Sequence, residues 1–453
     1  MQGTADSTRT YVESQRELQS DEPQPGLLLV FSGGEPRCDA LAVTSTQLII
    51  GRGKCGIEDA HLSREHVRVS FGEGGFSVED LGSRNGTFIN GERIVGVASL
   101  TPSAVLRVGE SVFLACADVR PYGGARVASS GGLVIGPQMR RVFAAVKSAA
   151  DAGNRLLITG ETGAGKEMVA HAYHECVAPD GPFVPLNSAA LPATLAEGLL
   201  FGVARGAYSG ATADRVGYLA QAHGGVVLLD EIADLDQQIQ AKLLRVIETG
   251  EVQALGSTRA HKIDVRICSA THQDLEALVE AGKFRADLYY RLAESSVRVP
   301  ALRERREEIP WFIKSELEKS SAALSVHRLF VEACLVRPWS GNARAFVAAI
   351  RAAVTRAEAE RSKALRPEHL PPDERASSTA PPKASPRAAA EVLGRDIVER
   401  CLEEHGGNLT KAAAHLGLHR TQLYRLLKRL GLRGDQLPSG DDTLSQTREE
   451  DPN

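Results

Sequence analysis

The period of apolar and polar positions changes along the chain. Over residues 26–117, short apolar runs (LLLVF, QLIIG, HVRVSF, GFSVEDL, GTFIN, VLRVG) are separated by Gly, Asn and Asp, which predicts an all-β segment. Over 133–301, strand-like runs (RLLITG, PFVPLN, VVLLDE, DVRICSAT) alternate with helical stretches, the mark of βαβ units on a parallel sheet. Residues 302–370 read as helices only. Residues 391–433 hold three short amphipathic helical patterns punctuated by Gly406, Gly407 and Gly417. Two stretches lack periodicity and read as linkers. One is 118–132, with Gly123, Gly124, Ser129, Ser130, Gly131 and Gly132; the other is 371–390, with Pro371, Pro372, Pro381, Pro382 and Pro386. A polar head, 1–25, and an acidic tail, 434–453, complete the expected organisation.

Composition narrows the class. A chain of 453 residues is roughly three domains of about 150 residues each. With 53 Lys and Arg against 57 Asp and Glu, the net charge of -4 excludes a chain that is basic throughout, so contact with nucleic acid must be local. The 7 cysteines are scattered without a Cys-x-x-Cys pair, which points to a reduced cytoplasm and no structural zinc. No apolar stretch approaches the ~18 residues of a membrane span, and no secretory leader is evident. The expected localisation is cytoplasmic.

Gly160, Glu161, Thr162, Gly163, Ala164, Gly165 and Lys166 follow the strand LLIT and open a helix. Glycines let backbone N–H groups wrap a phosphate, the helix N-terminus adds partial positive charge, and Lys166 supplies a point charge for the outer phosphates. The next residue is Glu167, where a general P-loop has a hydroxyl for magnesium. Further on, VVLLDE ends in Asp230 and Glu231. At a strand's C-terminal edge, Asp230 can hold Mg2+ through water while Glu231 polarises an attacking water.

Residues 133–370 resemble the AAA+ ATPase domain of bacterial enhancer-binding proteins, the activators of sigma-54 RNA polymerase. That family's P-loop has the form GE(S/T)GTGKE, so Glu167 fits it and GETGAGKE departs only at Ala164. FVPLNSAAL, HGGVVLLDEI, KLLRVIETGEV, VRICSATHQDL, GKFRADLYYRL, LRERREEIP and PWSGNAR extend the match. The resemblance implies ATP hydrolysis in a homo-oligomeric ring. It implies that Asn187 is the switch residue restraining Glu231, and that Thr271 is a sensor, followed by His272 where many members have Asn. It makes Arg285 and Arg291 the arginines that reach a neighbouring subunit's nucleotide, and Arg344 a sensor arginine on a helical lid. Phosphoryl transfer needs positioning and charge neutralisation, which these residues would supply.

Sigma-54 activators carry a GAFTGA loop that touches the sigma factor. Here Gly206, Ala207, Tyr208, Ser209, Gly210 and Ala211 stand in its place. Tyr208 keeps an aromatic ring and Ser209 a hydroxyl, so the resemblance implies contact with sigma-54 polymerase. The alternative is a DNA-binding, ATP-binding regulator without productive sigma-54 coupling.

In the β-rich segment, Gly51-Arg52, Ser63-Arg64-Glu65-His66, Ser83-Arg84-Asn85-Gly86-Thr87 and Asn90-Gly91 occur in order. Together they resemble a forkhead-associated (FHA) domain, a β-sandwich that binds phosphothreonine at one end. The resemblance gives Arg52 and Ser63 to the phosphate, Arg64 as added charge and Asn85 to the peptide backbone, with His66 structural. It implies control by a phosphothreonine-containing partner or by a phosphorylated segment of the chain itself.

Residues 395–433 hold eight Lys or Arg against four acids, a local excess of positive charge in an acidic protein. GGNLTKAAAHLGLHRTQLYRLLKRLGL places Ala412, Ala413, Leu416, Leu418, Leu423, Leu427 and Leu430 in a core, and Arg420, Thr421, Gln422, Tyr424, Arg425 and Lys428 on an exposed face. That is a helix-turn-helix pattern set for the major groove of DNA; it resembles the Fis-type module ending most enhancer-binding proteins, which implies binding at upstream DNA. The expected fold is therefore multidomain: an all-β FHA sandwich, an α/β P-loop core with a helical lid, and an all-α helix-turn-helix.

Overall fold

The computed structural model describes residues 23–43, 47–72, 75–124, 126–130, 133–207, 212–320 and 323–372. The chain divides after Pro371, and all described residues but Pro372 lie in the first unit. The second linker, the helix-turn-helix segment with the six residues expected to face DNA, and the acidic tail lie outside the described residues, as do Tyr208, Ser209, Gly210 and Ala211.

The N-terminal part is a sandwich of two antiparallel sheets. Its strands are β1 (Gly26–Ser32), β2 (Glu35–Ala42), β3 (Leu48–Ile50), β4 (Val67–Gly72), β5 (Gly75–Asp80), β6 (Thr87–Ile89), β7 (Glu92–Arg93), β8 (Val97–Leu100), β9 (Val105–Val108) and β10 (Ser111–Cys116). One sheet has the order β2-β1-β10-β9-β6-β7 and the other β3-β4-β5-β8. Gly33 and Gly34, at φ 60° and 86°, turn β1 into β2, because a two-residue hairpin that matches strand twist needs positive φ at both positions. Alternating residues Leu27, Leu29, Val67, Val69, Phe76, Val78, Leu106 and Phe113 fill the space between the sheets.

The opposite face of the first sheet is also covered. Every residue of β1 is buried, and Leu28, Val30, Val105, Val112 and Leu114 share one apolar cluster with Leu302, Ile309, Phe312, Phe330 and Phe346 of the helical region. The unbroken apolar run LLLVF is thus explained, since a strand buried on both faces has no polar positions to alternate.

The segment read as the first linker is built into this arrangement. Among its described residues a 3-10 turn forms at Arg120–Tyr122, and β11 (Ala128–Ser130) pairs antiparallel with β12 (Leu133–Ile135). Val119 and Val127 are buried.

The central part holds a five-stranded parallel sheet of β13 (Leu156–Thr159), β14 (Phe183–Asn187), β17 (Val226–Asp230), β20 (Arg266–Thr271) and β21 (Ser295–Arg298), in the order β14-β17-β20-β13-β21. Between β14 and β17 lies the small hairpin β15 (Gly202–Val203) with β16 (Arg215–Val216), and between β17 and β20 the hairpin β18 (Glu251–Gln253) with β19 (Ala260–Lys262). Helices flank the sheet, among them Pro137–Asp151, Lys166–Val177 and Gln237–Thr249. The last is fixed at both ends: the Asp236 carboxylate accepts from Gln238 N at 2.8 Å, and Gly250 closes it at φ 68°. Helices Ile309–Glu318, Arg328–Val336 and Asn342–Ala359 form the lid. Among the described residues no helix is long and apolar enough to cross a membrane.

Candidate functional site

The C-terminal ends of β13, β14, β17 and β20 open on one side of the parallel sheet, where open α/β folds bind ligands. The loop after β13 runs through Gly160 (φ 151°), Gly163 (φ 75°) and Gly165 (φ 109°) into the helix Lys166–Val177. A Cβ at Gly163 would lie 2.3 Å from the Gly341 carbonyl and 3.1 Å from Arg344 Cβ, so only glycine lets the lid close onto the loop. Lys166 is 7% exposed; its Nζ donates to Gly160 O at 2.9 Å and stands 3.6 Å from Glu231 Oε1.

Loop, lid and strand ends enclose a cleft of about 780 Å³, lined by Thr162, Lys166, Glu167, Asn187, Asp230, Glu231 and Arg344 among others. Asn187 and Asp230 are register partners on neighbouring strands. Burial pushes the Asp230 carboxyl above its ordinary range, helped by the adjacent Glu231 and opposed by Lys166. Glu231 shifts the other way: burial raises it, but the His272 hydrogen bond and Lys166 together outweigh burial and keep it ionised to lower pH. Thr271, fully buried, ends β20; its carbonyl accepts from Gly160 N at 3.2 Å and its Oγ1 from Gln273 N at 3.0 Å. Asn187 Oδ1 accepts from Ala189 N at 3.0 Å.

Three residues that latch onto the glycine loop carry no mark of that role in the sequence. Asn342, at φ 53° and 1% exposed, donates from Nδ2 to Glu161 Oε2 (3.1 Å) and Thr162 O (3.0 Å), while its Oδ1 accepts from Leu302 N (2.9 Å). Arg303 grips the same Glu161 through two bonds of 2.8 and 2.6 Å, and this pairing, with Asn342 assisting, pulls the Glu161 carboxyl down to about 2. Arg305, buried, donates to Ala164 O and to Glu308 Oε2, both at 2.6 Å. Glu308 in turn accepts from Gly136 N at 2.7 Å. All three lie within motifs visible in the sequence, but their partners on the glycine loop are more than a hundred positions away.

Arg285 and Arg291 lie away from this cleft, on the exposed surface. Arg285 forms a two-bond pair with Asp287 (3.0 and 2.7 Å) and Arg291 stands 3.5 Å from Glu248. Gly206 and Ala207 sit just beyond β15. There Ala204 N donates to Leu255 O (2.9 Å) and Arg205 N to Asp214 Oδ1 (2.7 Å), tying the loop's base to the neighbouring hairpin.

At one end of the sandwich, Arg52, Arg64 and Asn85 are exposed and Ser63 half-buried. Arg52 N donates to Ser63 O (2.9 Å), Arg84 N to Ser63 Oγ (3.3 Å), and Asn85 Nδ2 to His61 O (2.7 Å). His66, fully buried, accepts from Ser63 N at Nδ1 (3.3 Å), so its Nε2 carries the proton donated to Gly86 O (3.2 Å). It ties together the two loops that present the four candidate residues.

Sandwich, parallel sheet with glycine loop, and helical lid define an FHA domain joined to a P-loop ATPase-type domain of the AAA+ class. Comparison with known proteins places the chain further. The model of the sigma-54 interaction domain matches residues 134–298, that of the FHA domain 48–109, and that of the bacterial regulatory proteins of the Fis family 388–430. Transcriptional regulatory protein ZraR of Salmonella typhi is 37% identical over 336 residues, covering 71% of this chain and 75% of the relative. The hydrogenase transcriptional regulatory protein HoxA of Bradyrhizobium diazoefficiens is 38% identical over 306 residues, covering 65% and 63%. A solved structure of NtrX from Brucella abortus in complex with ADP shares 30% identity over 68% of this chain and 70% of that one, with a TM-score of 0.49. The chain belongs to the family of sigma-54-dependent transcriptional regulators. It spans 63% of HoxA and 58% of the Nif-specific regulatory protein of Azotobacter vinelandii.

Proposed function

We propose that this protein hydrolyses ATP in a homo-oligomeric ring to remodel sigma-54 RNA polymerase at promoters, under phosphothreonine-linked control. The observation that carries the reading is the convergence of Lys166, Asp230, Glu231 and Arg344 on one cleft beside a glycine loop. Backbone N–H groups of Gly163 to Lys166 face the phosphates, Lys166 neutralises the outer ones, and Arg344 adds charge from the lid. Glu231 takes the proton of the attacking water, with Asn187 and Thr271 at the neighbouring strand ends. The exposure of Arg285 and Arg291 supports their reaching a neighbouring subunit's cleft.

Mg2+ fits the donor set. Asp230 is a half-buried carboxylate whose charge burial disfavours, the situation a hard cation relieves, and Mg2+ needs only one or two protein carboxylates besides substrate phosphates. When bound it would neutralise charge on the phosphates, with Asp230 holding it through water.

The loop at 206–211 would carry the contact with sigma-54, and the helix-turn-helix would hold the protein at upstream DNA through Arg420, Thr421, Gln422, Tyr424, Arg425 and Lys428. Arg52, Ser63, Arg64 and Asn85 form a basic, hydroxyl-bearing end suited to phosphothreonine, on a partner or on the chain itself.

The test is ATP-dependent open-complex formation by sigma-54 holoenzyme on a sigma-54 promoter with the full chain. Open complexes that require hydrolysable ATP support the proposal. ATP turnover without open complexes replaces it with the second reading, a DNA-binding, ATP-binding regulator uncoupled from sigma-54, which the substitution of Tyr208 and Ser209 in the coupling loop favours.

A further inference from the structure

We infer that His272 is the residue that orients Glu231 for turnover, through its Nδ1–H, an inference that rests on the ATPase reading above. Glu231 ends β17 and His272 follows β20, two strands that run side by side with Asp230 opposite Ala270. Glu231 is held at φ 51°, a left-handed conformation unfavourable for a residue with a Cβ and sustained by its surroundings. In this conformation its carboxylate is divided between two neighbours. Oε2 accepts from His272 Nδ1 at 2.7 Å and from His272 N at 3.3 Å, whereas Oε1 stands 3.6 Å from Lys166 Nζ.

The division has a chemical consequence. A carboxylate on a glutamate side chain has three rotatable bonds, and a general base must present one oxygen to a water at a defined place. With Oε2 anchored on the end of β20, the plane of the carboxylate is set and Oε1 faces the amine that meets the outer phosphates. A base held in place by a third group is the arrangement by which nucleophiles are activated. Asn187, on the other neighbouring strand, directs its Oδ1 to Ala189 N, so the anchor on Glu231 comes from β20.

The bond to an ionised carboxylate requires a proton on Nδ1, which specifies the test. An asparagine carries its amide nitrogen at the same number of bonds from Cα as histidine Nδ1, whereas glutamine places it one bond further out. Full-length His272→Ala, His272→Asn and His272→Gln proteins are compared with wild type in steady-state ATPase assays, alongside Glu231→Gln and a fluorescent-ATP titration. Loss of the anchor is expected to lower kcat by about 10- to 100-fold in His272→Ala, with KM within about 2-fold. His272→Asn should recover to within about 3-fold of wild type, and His272→Gln should resemble His272→Ala. Unchanged kcat in His272→Ala, or equal recovery by Asn and Gln, would overturn the inference. A bulk-filling role would be served by either amide. If wild type turns over ATP and Glu231→Gln abolishes it while the His272 series is unaffected, only the positioning role falls. If wild type does not turn over ATP, the ATPase reading falls with it.

Discussion

Arg107 Nε donates to Glu332 Oε2 at 2.6 Å, joining the β-sandwich to the ATPase lid through a pair that is 6% and 4% exposed. The Arg107 guanidinium also lies 3.8 Å from the centroid of the Phe88 ring. Around the pair, Arg328 bonds to Glu110, Arg306 to the Ser103 carbonyl, and Lys314 to Glu35 at 2.7 Å. With the shared apolar cluster beneath, the sandwich and the lid form one packed body. A displacement in the sandwich therefore has a packed route to the helix that bears Asn342 and Arg344.

Breaking that pair by Arg107→Ala is expected to leave Glu332 buried without its cation, at a cost of about 3–5 kcal/mol. Arg107→Met with Glu332→Leu should recover most of the loss, because well-packed apolar groups replace a buried pair cheaply. Chemical denaturation of wild type and the two variants checks both outcomes. In Arg107→Ala, protease cleavage within 118–132 should also rise.

Glu307, 1% exposed and with Oε1 lacking a hydrogen-bond partner, has its carboxyl pushed up to about 8, by burial first and by Glu308 second. A carboxyl raised above its unfolded value keeps its proton in the folded protein while the unfolded chain ionises. Its stabilisation is complete below the unfolded value of 4.5 and is lost as pH rises through about 8. Glu307→Gln should therefore match wild type near pH 4.5 and exceed it near pH 8 by roughly a few kcal/mol, measured by thermal unfolding across that range.

Asn342→Ala removes the amide that links the lid to Glu161, Thr162 and Leu302, and puts a less tolerant residue at φ 53°. Weaker ATP binding, by about 10-fold, and a stability loss of about 2 kcal/mol are expected in nucleotide titration and denaturation.

Arg291→Ala should fold and bind ATP as wild type does, since Arg291 is 55% exposed and paired only across 3.5 Å. Turnover should nevertheless fall by about 10³-fold if it serves a neighbour's nucleotide. Equal turnover in the assembled protein would reject that role.

Arg52→Ala should reduce binding of phosphothreonine peptides by at least about 10-fold and leave basal ATP turnover unchanged. Isothermal titration with phosphorylated and unphosphorylated peptides reads both sides of that expectation.

Much of this protein was determined by local sequence. Strand LLIT followed by GETGAGKE can form little else than a loop whose glycines reach positive φ and whose lysine turns back on it, and VVLLDE can place its acids only at a strand end. The order of β-rich, alternating and helical stretches was legible for the same reason, since periodicity is a property of neighbouring residues. His66 was legible as a structural residue through its place in the FHA-like motif Ser63-Arg64-Glu65-His66.

Pairings between distant residues were decided only by tertiary structure. His272 stood out as a substitution beside Thr271, yet its partner is Glu231, 41 positions earlier, and becomes its neighbour only because β17 and β20 run side by side. Arg305 and Asn342 lay in recognised motifs with partners on the P-loop that no spacing reveals. The two-sided burial of β1 was written in LLLVF, but which surface covers it depended on the lid. The stretch 118–132 looks like a linker because its composition is rich in glycine and serine, whereas Val119 is buried beside Gly26 at the start of β1 and Val127 joins the apolar cluster shared by sandwich and lid. Local patterns carry conformation; burial and long-range bonds depend on where the rest of the chain comes to lie.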